Sequence, residues 1–261
     1  MSDLPLSSRI GVVTGATAGI GLATAEHLAQ LGCRLVVNAR REDRLHALVE
    51  RLNAGHGAPL AVAVAGDAAD AQVVERVLDA AHERFGAEAD LVVVNAGRGL
   101  KGSVLDSRPE DWEALMRINV FGAAHLMRRA AQRMLHTLDQ VPWEQRARDI
   151  IVLGSVVGRN VSPFSSMYGS SKFAVHGMAE GLRRQVASKG VRVTLIAPGF
   201  VRSEFQGVAG YDPAWFREVE ERIGPVLTPA DVARLIGFVA GQPPHAHVAD
   251  IVIRPTRQDY P

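Results

Sequence analysis

The sequence is poor in cysteine, in aromatic residues and in net charge, and each scarcity excludes a class of protein. A single cysteine, Cys33, excludes an internal disulfide and a cysteine metal cluster, and its apolar neighbours predict a buried thiol. Lys and Arg number 29 against 28 Asp and Glu, so no basic excess points to nucleic acid or to an anionic membrane. The nine histidines follow no metal-ligand spacing such as H-E-x-x-H, so we expect no metal site.

Long hydrophobic runs are also missing. No apolar run reaches the ~18 residues that a membrane helix needs, and the first residues resemble no secretory signal, so we expect a cytoplasmic protein without membrane contact. Hydrophobic residues make up 47% of the 261 residues, and neither a linker nor an internal repeat divides the chain. We therefore expect a single domain over residues 1–261.

Short apolar runs alternate with amphipathic stretches along the chain. Several runs are apolar at every position, which is typical of parallel strands covered on both faces. Strands are predicted at 10–14, 33–38, 60–64, 90–95, 149–154, 191–196 and 250–254, and helices include 43–53, 70–85, 109–135, 166–188 and 229–241. This alternation predicts the α/β class, with a Rossmann fold whose doubly wound, seven-stranded parallel sheet is flanked by helices.

Two stretches interrupt the alternation. Residues 137–148 are polar and predict a surface excursion, to which the sequence assigns no function. Residues 203–227 carry aromatic residues, Gly and Pro between the sixth strand and the last helix. A long segment at this place predicts a variable substrate lid.

A glycine-rich turn follows the first strand, in TGATAGIG at residues 14–21. Glycines followed by a helix allow close approach of a pyrophosphate to free N–H groups, although the same pattern also fits a tight turn without a ligand. Just after the second predicted strand, Ala39 stands where an acidic residue would bind a ribose 2′-hydroxyl, and Arg40 and Arg41 follow. Two guanidinium groups favour the 2′-phosphate of NADP over NAD, unless they only begin a solvated helix.

The ordered motifs of the chain resemble the classical short-chain dehydrogenase/reductase family. They are TGATAGIG, Asp67 in AGDAAD, NAG at 95–97, Asn119 in INVFG, Ser155 in GSVVG, YGSSK at 168–172 and PGFVRSEF at 198–205. The resemblance covers nearly the whole chain, and HVADIVIRPTRQ is similar to an NADP-dependent branch that includes serine-type β-hydroxy-acid dehydrogenases. One departure is Val94, which stands where the family often has the first asparagine of NNAG.

The resemblance implies four catalytic residues. Tyr168 would donate or accept the hydroxyl proton, and Lys172, one helical turn later, would bind the nicotinamide ribose and help to lower the pKa of the phenol. Ser155 would hold the substrate carbonyl oxygen, and Asn119 would hold a water in a relay to Lys172. Taken alone, the same residues also fit an exposed Tyr–Lys pair, a helix-capping serine and a surface asparagine.

The resemblance also implies the cofactor, NADP(H), and its contacts. The implied cofactor-binding residues are Gly15, Thr17, Gly19, Ile20, Gly21, Arg40, Arg41, Asp67, Ala68, Asn95, Ala96, Gly97, Tyr168, Lys172, Pro198, Gly199, Val201 and Ser203. The reaction would be hydride transfer between the nicotinamide and a carbonyl or secondary alcohol. Helices 109–135 and 166–188 correspond to those through which the family assembles, so a homodimer or homotetramer is implied.

Two alternatives and the substrate stay open at this point. A non-catalytic NADP(H) sensor of the same fold would not need all four catalytic residues, which favours the enzyme, and NAD remains the alternative cofactor. Aromatic residues of the segment 203–227 would make an apolar substrate pocket, whereas Arg202 or Arg217 would meet a carboxylate.

Overall fold

The computed structural model describes residues 4–260, and the strands in this part form one parallel sheet in the order β3-β2-β1-β4-β5-β6-β7. These strands are β1 (Ile10–Thr14), β2 (Arg34–Ala39), β3 (Ala61–Ala65), β4 (Leu91–Val94), β5 (Asp149–Leu153), β6 (Arg192–Pro198) and β7 (Asp250–Ile253). The predicted fold class is confirmed, and each predicted strand is found within two residues of its expected ends. Residues 1–3 and 261, which belong to the predicted domain and to the stretch searched for a signal, lie outside the described part.

Helices cover both faces of the sheet. They are α1 (Gly19–Gln30), α2 (Glu42–Asn53), α3 (Ala71–Phe85), α4 (Glu110–Met116), α5 (Ala123–His136), α6 (Ser166–Val186), α7 (Phe205–Ala209), α8 (Pro213–Ile223) and α9 (Pro229–Ala240). Gly86 ends α3 with a φ of 76°, and Thr228 caps α9 with Asp231 accepting from its backbone N–H at 2.7 Å. No helix within residues 4–260 is both long and apolar enough to cross a membrane.

Each buried strand contributes side chains to two apolar layers, one on each face of the sheet, because successive side chains of a strand point to opposite faces. On β1, Val12 packs into the layer under α3, α5 and α6, and Val13 packs into the layer under α1, α2 and α9. On β5, Ile150 and Ile151 divide in the same way. This explains why these strands are apolar at every position, and Cys33 is fully buried in one layer, as predicted.

The helix predicted over 109–135 is divided by a wider, π-helical turn at Arg117–Gly122. The extra residue in this turn changes which side chains face inward. Asn119 is only 2% exposed, whereas Phe121 is 61% exposed. Gly122 lies so close to the backbone of Ala68 that an added Cβ would be 3.0 Å from its carbonyl oxygen.

The stretch 137–148 is more than the predicted surface excursion, because two of its arginines attach it to the core. Arg148 is 1% exposed and donates to the backbone carbonyls of Thr137 at 3.0 Å and Val141 at 2.7 Å. Arg146 bonds to Asp90 at 2.6 Å. The surface prediction describes residues 137–146, which are exposed or half-buried, but it did not include these anchoring contacts, because they depend on residues that meet only in the folded chain.

Four buried charged side chains form an ion-pair network at the amino edge of the sheet. Arg9 lies 2.8 Å from Asp90 and 2.8 Å from Asp149, and Arg192 bonds to Asp149 at 2.7 Å. Burial alone would lower the pKa of Arg9, but the two carboxylates raise it above its ordinary value. Since buried charges persist only when paired, this network fixes the starts of β1, β4, β5 and β6 relative to one another.

We predict that Asp149→Ala lowers the free energy of unfolding by about 3–5 kcal/mol, because it leaves two buried guanidinium groups without their shared carboxylate. Urea denaturation measures this loss. The control is Glu26→Ala, which removes an exposed ion pair with Arg51 and should cost less than about 1 kcal/mol. Equal losses in the two variants would contradict the prediction.

Candidate active site

The candidate site lies at the carboxyl edge of the sheet, where the strand order reverses between β1 and β4. Asn95, just after β4, donates from its side chain to the carbonyl oxygen of Thr14 at the end of β1, at 2.8 Å. The Thr14 hydroxyl accepts from the backbone N–H groups of Asn95 at 3.2 Å and Ala96 at 3.1 Å. These hydrogen bonds fix the spacing of the two strand ends and hence of the crevice between them.

The glycine-rich turn forms one wall of this crevice, and its geometry requires glycine. Gly15 and Gly19 have φ values of 70° and 52°, in the left-handed region that L side chains disfavour. A Cβ at Gly21 would lie 2.2 Å from the Gly15 carbonyl oxygen and 2.5 Å from the Asn95 side chain. The first turn of α1 therefore opens directly onto the crevice, in the arrangement that suits a phosphate.

A cleft of about 390 Å³ extends from this turn to the end of β2. The predicted cofactor residues that line it are Gly15, Thr17, Gly19, Arg40, Arg41, Asp67, Ala68, Asn95, Ala96, Gly97 and Ser203. Sequence reasoning missed Asn38, a polar residue at the end of an apolar strand. Its amide donates to the carbonyls of Val64 and Gly66, and its Oδ1 is buried without a partner among the described residues.

Three arginines lie at the far end of the cleft. Arg41 donates to the Thr17 carbonyl at 3.2 Å and pairs with Glu204 at 3.0 Å. Arg44, one turn into α2, also pairs with Glu204 at 3.0 Å. Arg40 is exposed and has no partner within residues 4–260. Arg44 and Glu204 were missed, because no local pattern reports that these residues meet.

A second cavity of about 240 Å³ adjoins the cleft and contains three of the four predicted catalytic residues. Ser155, Tyr168 and Lys172 line it, and Asn119 lies behind its wall. The predicted cofactor residues Ile20, Asn95, Gly97, Pro198, Gly199, Val201 and Ser203 also line it. Gly21 lines neither cavity and acts through the shape of the turn.

Tyr168 is 8% exposed and hydrogen-bonded to Ser155. Burial raises the pKa of the phenol, and the hydrogen bond to Ser155 offsets only part of this. The expected lowering depends on Lys172 together with the positive charge of a bound cofactor, and it stays a prediction. Ser155 also caps the short turn that follows β5, since its hydroxyl accepts from the Val157 N–H at 3.4 Å, so the capping interpretation describes it as well.

Lys172 is held by the backbone instead of by the phenol. Its Nζ donates to the Leu153 carbonyl at 2.8 Å and lies 5.9 Å from the centre of the Tyr168 ring. Burial lowers the pKa of this amine to about 8, because the charged form loses its hydration. Lys172 is thus partly neutral at mildly alkaline pH and supplies less positive charge to its surroundings than an exposed lysine.

Asn119 connects the crevice to the helix that carries Tyr168. Its Oδ1 accepts from the Arg98 N–H at 2.9 Å, and its Nδ2 donates to the Arg98 carbonyl at 2.9 Å and to Ser171 at 3.0 Å. The surface interpretation of this residue is wrong, because the side chain is buried and bonded on both sides. It positions the chain after Gly97 against α6.

His176 is a site residue that sequence reasoning missed. Its Nε2 lies 3.2 Å from the backbone nitrogen of Ser155 and accepts its N–H. Burial lowers the pKa of the ring to about 4, so the imidazole is neutral and able to accept at neutral pH. An added Cβ at Gly154 or Gly158 would lie within 2.5 Å of this nitrogen. The available signal was its position four residues after Lys172, on the same face of α6.

Aromatic side chains from the segment 203–227 wall the substrate end of the cavity. Phe205 packs on Tyr168 at 5.5 Å, and Tyr211 stacks on Trp215 at 5.3 Å between ring centres. The segment forms α7 and α8. Of the arginines considered for a carboxylate, Arg202 pairs with Glu220 at 2.7 Å.

The charged residues around this cavity carry one sign. Arg98, Lys172 and Arg222 line it, and the described lining residues include no Asp or Glu. Arg217 is not among the lining residues, whereas Arg222, five residues later in α8, is. Within residues 4–260, no three His, Cys, Asp or Glu side chains are grouped to hold a metal ion.

Known proteins share both the sequence and the fold. The family model described as short chain dehydrogenase matches residues 9–212. An uncharacterized oxidoreductase of Staphylococcus saprophyticus is 31% identical over 250 residues, covering 96% of this chain and 98% of the relative.

Two solved structures carry a dinucleotide. A serine dehydrogenase complexed with NADP+ is 27% identical with a TM-score of 0.82, and covers 96% of both chains. A short chain dehydrogenase/reductase of Burkholderia phymatum in complex with NAD is 28% identical with a TM-score of 0.80, and the match covers 97% of this chain and 90% of that one. The resemblance stated from the motifs is confirmed: the chain belongs to the short-chain dehydrogenase family of oxidoreductases.

Proposed function

We propose that the protein is an NADP(H)-dependent oxidoreductase that interconverts a carbonyl compound and a secondary alcohol, with Tyr168 as general acid and base. The observation that carries this proposal is the contact of two cavities. The glycine cradle, Arg40 and Arg41 line the first, and Ser155, Tyr168 and Lys172 line the second. A cofactor sensor without turnover would not need these three side chains in one cavity.

The residues of the cleft fit a dinucleotide. The N–H groups at the start of α1 would face the pyrophosphate, and the unpaired, buried Oδ1 of Asn38 would accept a hydrogen bond from the adenosine half. Arg40 and Arg41 would bind a 2′-phosphate, with Ala39 leaving no carboxylate to repel it at the end of β2. Solved relatives carry NADP or NAD, so the arginines decide our choice of NADP.

The chain's own residues would handle the proton. When bound, NADPH supplies a hydride for the carbonyl carbon. The Ser155 and Tyr168 hydroxyls would hold the carbonyl oxygen, and Tyr168 would transfer its proton to it, so that carbonyl, hydride and proton give the alcohol. The Lys172 ammonium would stabilise the phenolate that remains, and Asn119 would hold a water in the relay that returns the proton.

The same cavity favours a class of substrate. Its aromatic wall suits the apolar part of a substrate, and the absence of carboxylates among its described lining residues suits an anionic group near Arg222.

We also propose assembly into a homo-oligomer through α5, α6 and the turn before α5, since Phe121 and Phe173 on these elements are 61% and 43% exposed.

We predict that Tyr168→Phe lowers carbonyl reduction by about 10²-fold or more, because the proton donor is lost, while NADPH binding is retained. Turnover is measured as the loss of NADPH absorbance with a panel of carbonyl substrates in which each keto acid is tested beside its ester. Tyr211→Phe, a change at another tyrosine of the cavity, should keep most of the activity. A fully active Tyr168→Phe variant would contradict the assigned role.

We predict that Arg40→Ala weakens NADP+ binding by about tenfold and leaves NAD+ binding unchanged, because only the 2′-phosphate meets this guanidinium. Titration calorimetry with both cofactors measures this. Arg51→Ala, in the helix that follows Arg40 but paired with Glu26 on the surface, is the control. Equal weakening for both cofactors would reject the 2′-phosphate assignment.

We predict that the burial of Lys172 is visible as a pH dependence of stability. The pKa of about 8 in the folded chain lies below the usual ~10.4, so the unfolded chain binds more protons between these values and stability rises with pH. The free energy of unfolding of the wild type, minus that of Lys172→Met, should therefore rise by about 2 kcal/mol from pH 7.5 to 9.5. A flat difference would show that the amine keeps an ordinary pKa.

A further inference from the structure

A carboxylate of the substrate segment sits on the arginines at the adenosine end of the cleft. Glu204 lies just before α7, and its two carboxylate oxygens bond to Arg41 at 3.0 Å and to Arg44 at 3.0 and 3.1 Å. Arg41 and Arg44 belong to the start of α2, 160 or more residues away in the chain. The two ion pairs therefore join the substrate segment to the element that would bind a 2′-phosphate.

The path of the segment brings this carboxylate into the cleft. Ser203 lies across the glycine cradle, where a Cβ added to Gly19 would be 3.3 Å from the Ser203 Cβ. Glu204 lines the same cleft as Asn38, Arg40 and Arg41. An anion supplied by the chain itself thus occupies Arg41, one of the two guanidinium groups proposed for the phosphate.

The ion pairs of Glu204 with Arg41 and Arg44 are exposed to solvent, so a dianion such as a phosphate can displace the carboxylate. The side chains of Arg41, Arg44 and Glu204 are 44%, 53% and 54% exposed, and exposed pairs of this type are weak. Hydrogen bonds from Arg41 and then Arg44 hold the pKa of Glu204 below its usual range, so it is a carboxylate at neutral pH. A phosphate placed on the same guanidinium groups would gain more charge attraction than this carboxylate and would repel it.

We propose that Glu204 is an internal competitor of the 2′-phosphate, and that Arg44 is a further phosphate-binding residue beside Arg40 and Arg41. In the free protein the carboxylate holds Arg41 and Arg44, and a 2′-phosphate displaces it, which frees the segment 203–209 from α2. A dinucleotide with a 2′-hydroxyl leaves the ion pairs intact. Glu204 therefore reduces the preference for NADP over NAD, and this inference rests on the proposed cofactor site.

The test uses Glu204→Gln in the full chain, which keeps the shape of the side chain and removes its charge. Titration calorimetry with adenosine 2′,5′-bisphosphate and with adenosine 5′-monophosphate isolates the 2′-phosphate from the nicotinamide and from turnover. We expect the variant to bind the bisphosphate about two- to fivefold more tightly and the monophosphate unchanged, since only an exposed competitor is removed. The control is Glu220→Gln, which removes the ion pair of Glu220 with Arg202 outside the cleft and should change neither.

A second measurement follows the segment itself. Hydrogen–deuterium exchange in 203–209 should increase when wild type binds the bisphosphate, and it should not increase with the monophosphate. Glu204→Gln should exchange faster already without a ligand. Equal exchange with both ligands would overturn the displacement of the segment.

The outcomes separate this inference from the proposed function. A wild type that binds both ligands alike would reject the NADP preference, but Glu204→Gln would still create a preference for the bisphosphate if Glu204 competes. Unchanged or weaker bisphosphate binding in Glu204→Gln, or equal tightening for both ligands, overturns the competition whatever the wild type prefers.

Discussion

The hydrogen bonds between Asn95 and Thr14 set the geometry on which the carboxyl edge depends. They hold the ends of β1 and β4 at the reversal of strand order, and the side chain that makes them fills the space beneath the glycine-rich turn. Any side chain at Gly21 would collide with Asn95, so this position of the turn requires glycine. From Asn95 the chain runs to Gly97, which packs on Asn119, and Asn119 bonds to Ser171 on the helix of Tyr168. One path of contacts therefore joins the cradle to the proposed proton donor.

The two edges of the sheet treat polar groups in opposite ways. At the amino edge, Arg9 and Arg192 are fully paired with buried aspartates, and the arrangement has nothing left to bind. At the carboxyl edge, the Asn38 Oδ1 and the Arg98 Nε are buried without partners among the described residues. A third such atom, the Thr24 Oγ1, lies within α1. Buried polar atoms are costly unless they are satisfied, so the two unsatisfied atoms at the carboxyl edge favour a ligand there.

Sequence reasoning found what local patterns encode. The strands follow from runs of β-branched residues, and Gly15, Gly19 and Gly21 from the turn that only glycine allows. It missed His176 and the Glu204–Arg44 pair, because an acceptor for the Ser155 N–H and an ion pair between distant elements exist only once the chain has folded. It also missed that burial raises the pKa of Tyr168 in the chain itself and that the carbonyl of Leu153 holds Lys172, since a spacing of four residues reports neither.

Burial acts on the titratable groups of the proposed site in one consistent way. It raises the pKa of Tyr168 and lowers those of Lys172 and His176, and each shift favours the neutral form. Under the proposed function, carbonyl reduction needs a neutral phenol as the proton donor, and burial favours this form. Alcohol oxidation needs the phenolate, which burial disfavours. Under the proposed function, the positive charge of the oxidised nicotinamide and of a protonated Lys172 would have to offset this cost, so oxidation should depend on the bound cofactor more than reduction does.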